Sequence, residues 1–153
     1  MAHILSLKFN GDPILRAMSR EVTKDEISDL TMLCADMIDT MEANEGVGLA
    51  APQVGENIRL IVVATKDKAQ VMFNPTITKK SFFKEWGEEG CLSIPKVFGD
   101  VKRNRSVTCE FIDEKGHKRI VEADGLMARV IQHEIDHIDG ILFIDKAKHI
   151  HTI

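Results

Sequence analysis

Residues 126–138 constrain the fold of this chain more than any other part of the sequence. At about 100° per residue, the apolar side chains of this segment fall on two neighbouring lines along a helix. Two apolar lines side by side predict a helix that is buried over much of its circumference, so the rest of the chain must pack around it. The first line contains Leu126, Val130, His133 and His137, and the second contains Met127, Ile131, Glu134 and Ile138.

The other patterns predict a second helix and several β-strands. Residues 24–44 carry apolar side chains at intervals of three and four, which is typical of an amphipathic helix. The β-branched run in residues 59–65 predicts a buried strand, and residues 70–77 predict another. Residues 105–124 alternate on both sides of the turn EKGH, which predicts a β-hairpin.

This order of elements predicts the α+β class, with mostly antiparallel sheets packed around a central buried helix that carries the motif HEIDH. A length of 153 residues fits a single domain, residues 1–153, that ends in a short C-terminal tail. We expect the tail, which includes His149 and His151, to fray.

Composition excludes several classes of function. The net charge of −4 argues against direct nucleic-acid binding, and the group Lys102, Arg103 and Arg105 is predicted to lie on a solvated face. No apolar run approaches the roughly 20 residues of a membrane span, so we expect no membrane contact. The N-terminal residues lack the features of a targeting segment, so we expect a cytoplasmic protein.

The sequence His-Glu-x-x-His at residues 133–137 predicts a metal site. Two histidines four residues apart converge on one point of a helix, and the Glu beside the first can reach a metal-bound water. A third ligand after His137 is missing, because Phe143 stands where one class of zinc peptidase has a histidine and no Glu follows. The third ligand must therefore lie upstream.

Cys91 is the best candidate for that ligand. It lies in EEGCLSIP, where Gly90 allows close backbone approach and no apolar period suggests a core position. Cys34 belongs to the apolar face of the first helix, and Cys109 alternates with apolar residues in a strand, so both are predicted core residues. Three cysteines are too few for a disulfide framework.

Three functions fit these features. The first is a hydrolase with a Cys-His-His metal site. The second is a zincin-like metallopeptidase, which the missing downstream ligand opposes. The third is a non-catalytic module for metal binding or ribosome interaction, which the presence of Glu134 and Gln53 makes weaker, because a structural metal site needs neither.

Three segments together resemble the motifs of the peptide deformylases, in order and at similar spacing. They are GVGLAAPQ at residues 46–53, EGCLS at residues 89–93 and QHEIDH at residues 132–137. The resemblance is to the bacterial type I class and covers nearly the whole chain. It implies hydrolysis of the N-formyl group from the N-terminal formyl-methionine of nascent polypeptides, with release of formate.

The resemblance also implies the chemistry of the site. Cys91, His133 and His137 would bind one divalent metal ion per chain, usually Fe²⁺, with Zn²⁺, Ni²⁺ or Co²⁺ able to replace it. Glu134 would be the catalytic acid and base. The Gln53 side-chain amide and the Leu92 backbone N–H would stabilise the oxyanion.

By the same resemblance, substrate would be bound along the glycine-rich segment and the first turn of the motif helix. The implied residues are Gly46, Val47, Gly48, Glu89, Leu126, Arg129 and Val130. Arg103 and Asp136 are predicted to pair behind the metal ligands. The carboxylate of Glu89 is predicted to contact a polar group near Gln53, and Phe98 is a further candidate for substrate contact.

The resemblance is weakest at the C-terminus. Bacterial deformylases usually continue into a longer terminal helix associated with docking at the ribosome, and FIDKAKHIHTI leaves little room for one. The expected partners are therefore N-formylmethionyl peptides, with ribosome docking in doubt, and the expected state is a monomer. Lys102 also stands where many relatives have Pro before the Arg.

Overall fold

The computed structural model describes residues 3–153, which form eight β-strands, two α-helices and four short 3₁₀ helices. The strands are β1 (Gly48–Ala50), β2 (Leu60–Ala64), β3 (Ala69–Lys80), β4 (Lys84–Cys91), β5 (Ile94–Asn104), β6 (Ser106–Ile112), β7 (Lys118–Asp124) and β8 (Lys148–Thr152). The α-helices are α1 (Thr31–Ala43) and α2 (Gly125–Ile138). The 3₁₀ helices are Pro13–Arg16, Lys24–Leu30, Ala51–Val54 and Phe143–Asp145.

The strands form two sheets. A five-stranded sheet has the order β1-β2-β3-β6-β7, and a three-stranded sheet has the order β4-β5-β8. Every pairing between these eight strands is antiparallel, and β6 and β7 form the predicted hairpin. The predicted α+β class with antiparallel sheets is therefore confirmed.

The five-stranded sheet is covered on both faces. Ile61 and Val63 of β2 pack in one hydrophobic cluster with α2, whereas Leu60 and Val62 pack in another with α1. This arrangement explains why the sequence of β2 is a continuous apolar run, since successive side chains point to opposite faces of a sheet. Cys109 lies in the first cluster and Cys34 in the second, as predicted.

Helix α2 packs against strands of both sheets. It contacts β1, β2, β6 and β7 of the larger sheet and β5 of the smaller one. Eight of its residues are buried, and they include both polar and apolar members of the two predicted lines. The helix ends at Ile138, as predicted. Gly140 follows with φ 77°, where a Cβ would lie 2.6 Å from the Arg16 carbonyl oxygen, so the chain can turn away only because this residue is glycine.

Two predictions of local structure were wrong. The segment Lys24–Leu30 is a 3₁₀ helix and not the first part of α1. The apolar spacing of three between Ile27 and Leu30 fits either kind of helix, so the pattern could not separate them. The C-terminal tail is also ordered: β8 pairs with β5, with His151 opposite Phe98. No helix within residues 3–153 has the length and apolar character needed to cross a membrane.

Candidate active site

Cys91, His133 and His137 meet at one point of the fold. The two histidines lie one turn apart on α2, and Cys91 is the last residue of β4. Their ligand atoms all lie within 4.8 Å of one another, and Cys91 Sγ is 3.2 Å from His137 Nε2. Among residues 3–153, this is the one group of His, Cys and acidic side chains close enough to hold a metal ion together.

The donor set suits a transition-metal ion. One thiol and two imidazoles are the ligands that Zn²⁺ and similar ions prefer, and three protein ligands leave a fourth position open, as in catalytic sites. His137 is buried, and desolvation lowers its pKa well below the ordinary value, with the positive charge of Arg103 acting in the same direction. A neutral imidazole is the form that binds a metal.

Glu89 holds His133 in place. The His133 Nδ1–H donates to Glu89 Oε1 at 2.9 Å, which leaves Nε2 as the lone-pair nitrogen for the cluster. Arg103 donates to both oxygens of the same carboxylate at 2.9 Å, and Arg129 Nη1 donates to Oε2 at 2.7 Å. Burial opposes the charge of Glu89, but its hydrogen bonds with His133 and Arg103 lower its pKa well below the ordinary value.

Two predictions about this network need correction. The partners of Glu89 are His133, Arg103 and Arg129, not a polar group near Gln53. The predicted group of basic residues is also divided, because Lys102 is exposed whereas Arg103 is only 4% exposed. A buried guanidinium must be paired, and the carboxylates of the network supply its partners.

The predicted pair of Arg103 and Asp136 is present. Arg103 Nη1 lies 2.5 Å from Asp136 Oδ2, and Lys146 Nζ lies 3.0 Å from the same oxygen. Asp136 stands on α2 one residue before His137. The pair therefore ties the motif helix to β5 beside the three candidate ligands, through the same arginine that holds Glu89.

Glu134 is a buried carboxylate without a complete set of partners. It is 4% exposed, and its Oε1 has no hydrogen-bond partner within residues 3–153. Desolvation by burial raises its pKa to about 7. Gly48 of β1 passes close to the carboxylate, so that a Cβ at Gly48 would lie 2.6 Å from Glu134 Oε2. Such a carboxyl group can exchange a proton with a reactant near neutral pH.

The Gln53 side chain is fixed at both ends of its amide. Its Oε1 accepts a hydrogen bond from the Ala50 backbone N–H at 3.0 Å. Its Nε2 donates to Ser93 Oγ at 3.1 Å and lies 3.5 Å from Cys91 Sγ. Gln53 therefore presents a donor group to the Cys91-His133-His137 cluster, while Leu92 follows Cys91 directly in the turn between β4 and β5.

A cleft of about 630 Å³ opens onto these residues. Glu134, His133 and Cys91 line it, as do Gln53 and Leu92. All seven residues predicted to bind substrate also line it, namely Gly46, Val47, Gly48, Glu89, Leu126, Arg129 and Val130. His137, Arg103 and Asp136 are not among the residues that line it.

Comparison with known proteins identifies the family. The family model described as polypeptide deformylase matches residues 4–152. The chain belongs to the polypeptide deformylase family. The peptide deformylase of Treponema pallidum subsp. pallidum is 44% identical over 142 residues, which cover 93% of this chain and 87% of the relative. Peptide deformylase 1 of Clostridium perfringens is 46% identical over 145 residues, which cover 93% of this chain and 97% of the relative.

Solved structures of deformylases share the fold. A Synechococcus elongatus peptide deformylase in complex with actinonin gives a TM-score of 0.89 at 42% identity and covers 95% of this chain and 79% of that one. A class I type b peptide deformylase from Acinetobacter baumannii with Met-Ala-Ser bound gives a TM-score of 0.91 at 35% identity. The match covers 95% of this chain and 99% of that one.

Sequence reasoning missed some residues of this deformylase-type cleft. Leu7 and Phe9, which precede the first predicted element, line it, as does Pro95. Phe9 is 51% exposed, and the apolar residues Leu126 and Val47 are 68% and 50% exposed at the cleft. Exposed apolar side chains around a cleft are a common mark of ligand contact. The alternation of Leu5, Leu7 and Phe9 is a weak signal that could have placed this segment against the fold.

Proposed function

We propose that this chain hydrolyses the formamide bond of N-formylmethionyl peptides and releases formate. The observation that carries the proposal is the Cys91-His133-His137 cluster, of which Cys91 and His133 line the cleft beside the buried carboxyl of Glu134. A metal-binding set together with a nearby acid and base group is the arrangement that amide hydrolysis needs. Family membership and the Met-Ala-Ser complex of the Acinetobacter relative support the same substrate class.

We infer that the resident ion is Fe²⁺ and that Zn²⁺, Ni²⁺ or Co²⁺ can replace it. Cys91, His133 and His137 would hold the ion, and their sulfur and nitrogen donors suit each of these metals. When bound there, a divalent cation supplies Lewis acidity and lowers the pKa of water.

Glu134 transfers the protons of the reaction. Its carboxylate takes a proton from the attacking water, whose oxygen forms a bond to the formyl carbon. As the C–N bond breaks, the protonated carboxyl delivers that proton to the leaving amine nitrogen, so that formate and a free N-terminus result. A pKa raised to about 7 by burial suits a group that must both accept and donate a proton near neutral pH.

The oxyanion that forms during the attack is stabilised by fixed donors. The Gln53 Nε2–H and the Leu92 backbone N–H supply two of them on the Cys91 side of the cleft. Donors held in place before the reaction need no reorganisation, and the loss of one typically lowers kcat by about 10²–10³-fold.

The methionine side chain of the substrate lies against the apolar part of the cleft. Val47, Leu126 and Val130 supply its walls together with the aliphatic part of Arg129. Gly46 and Gly48 carry no side chain, so the substrate backbone can approach this segment closely. A Cβ at Gly48 would also lie 2.6 Å from Glu134 Oε2. The limited space beside Glu134 favours a formyl group over a larger acyl group.

The proposed function is tested by formate release from formyl-Met-Ala-Ser by the Fe²⁺-loaded protein under anaerobic conditions. Oxygen must be absent, because a thiolate ligand is open to oxidation. We expect one formate for each free N-terminus, and no product from acetyl-Met-Ala-Ser. If no formate were released with Fe²⁺, Zn²⁺, Ni²⁺ or Co²⁺, the proposal would be refuted. Cleavage of unformylated Met-Ala-Ser would indicate a peptidase.

The role of Cys91 is tested by its metal content. We expect Cys91→Ala to lower metal affinity by more than about 100-fold, because even the loss of a hydrogen-bond partner of a ligand costs about 10–100-fold. Cys34→Ala is the matched control, since Cys34 is a core residue of α1 and does not line the cleft. The measurement is elemental analysis after equilibration with limiting metal. Equal metal content in wild type and both variants would show that Cys91 is not a ligand.

A further inference from the structure

Ser93 is a buried hydroxyl that the proposed reaction does not use directly. It is fully buried, and its Oγ accepts the hydrogen bond from Gln53 Nε2 at 3.1 Å. Its backbone is held separately, because its carbonyl oxygen accepts a hydrogen bond from the Asn10 N–H at 2.9 Å. The side chain and the main chain of Ser93 therefore have different partners, and the side chain can be changed while the main chain stays anchored.

The amide of Gln53 needs two contacts to have a defined plane. The Ala50 N–H fixes only the oxygen end of the amide, so the nitrogen end could still rotate about the Ala50–Gln53 hydrogen bond. Ser93 Oγ accepts one of the two Nε2 hydrogens, which directs the other hydrogen toward the Cys91 side of the cleft. Without the Ser93 hydroxyl, the nitrogen end of this buried amide would keep only the 3.5 Å contact with Cys91 Sγ, and the desolvation cost of a poorly paired N–H would favour other rotamers.

We propose that Ser93 is a positioning residue that sets the orientation of the Gln53 amide for stabilisation of the oxyanion. The proposal rests on the proposed function, because it requires that Gln53 acts as an oxyanion donor. Ser93 itself touches neither the substrate nor the metal cluster in this role. A donor that can swing is a weaker stabiliser of the transition state, since its orientation must then be restored during the reaction.

The kinetic test is a double-mutant cycle on deformylation of formyl-Met-Ala-Ser. We expect Ser93→Ala to lower kcat by about 5–30-fold with little change in KM, which is part of the effect of losing the whole donor. In the Gln53→Ala background, the same substitution should change kcat by less than about twofold, because residues that act through one group are not additive. Equal effects in both backgrounds, or a rise in KM alone, would overturn the proposal.

A second measurement does not depend on activity. The side-chain amide resonances of Gln53, identified by their loss in Gln53→Ala, report the hydrogen bond in the folded protein. In Ser93→Ala we expect both amide hydrogens to shift and to exchange faster with solvent. Unchanged resonances would overturn the proposal. Wild-type protein without deformylase activity would instead refute the proposed function, and the resonances would still test the contact.

The matched control is Ser19→Ala. Ser19 is also buried, but its Oγ has no hydrogen-bond partner within residues 3–153 and it does not line the cleft. The control therefore removes a buried hydroxyl without changing the Gln53 amide. We expect wild-type kcat and unshifted Gln53 resonances in this variant. A fall in kcat equal to that of Ser93→Ala would mean that any buried hydroxyl has the same effect, which would overturn the specific role of Ser93.

Discussion

Replacement of Glu134 by Gln should lower kcat for deformylation by about 10²–10⁴-fold, the range that a positioned acid and base group contributes. The amide has nearly the shape of the carboxyl group but cannot accept the proton of water or deliver one to the leaving amine. Because Glu134 is not one of the three clustered ligand residues, metal content should remain at the wild-type level. The combination of lost turnover and retained metal is the specific signature of a proton-transfer residue.

The Glu134→Gln experiment requires formate release and elemental analysis on the same preparation. Glu110→Gln is the matched control, since Glu110 is an exposed residue of β6 outside the cleft. It should keep both wild-type kcat and wild-type metal content. Metal loss from Glu134→Gln, or turnover within tenfold of the wild type, would contradict the assigned role. A large fall in thermal stability would point to a structural contribution instead.

The part of the site on α2 could be predicted because its geometry is local. His133, Glu134 and His137 lie within five residues, and the helical period alone decides which faces they occupy. The β-branched run of β2 likewise predicted a buried strand, and in the structure this strand is buried on both faces. Such predictions succeed where one period fixes the direction of every side chain in the segment.

The network behind the ligands could not be derived in this way. Glu89 contacts Arg103 and Arg129, which are 14 and 40 residues away in sequence, so the contacts depend on how the sheets pack against α2. A cluster of basic residues also resembles a solvated face. The strand pattern did hold one clue, because Val101 and Arg103 are two apart in β5 and both are buried, whereas Lys102 between them is exposed.

Replacement of Arg103 by Met should lower the free energy of unfolding by about 3–5 kcal/mol, the usual effect of removing one partner from a buried ion pair. Methionine fills much of the same space, so the loss is mainly electrostatic. The guanidinium contacts both oxygens of Glu89 and one oxygen of Asp136, and its side chain is only 3% exposed. Without it, two largely buried carboxylates lose a shared cation. Within residues 3–153, Asp136 then keeps only the exposed Lys146 as a cationic partner.

The same substitution should also weaken metal binding by about 10–100-fold, because Glu89 orients His133 and depends on Arg103 for its own position. Urea unfolding should therefore be measured on metal-free and metal-loaded protein, since a bound ion adds its own stabilisation. Arg105→Met is the matched control: its pair with Glu85 is exposed and 3.5 Å long, so less than about 1 kcal/mol should be lost. If metal-free Arg103→Met lost no more stability than Arg105→Met, the buried ion pairs of Arg103 would not support the motif helix. Metal affinity should then be unchanged as well.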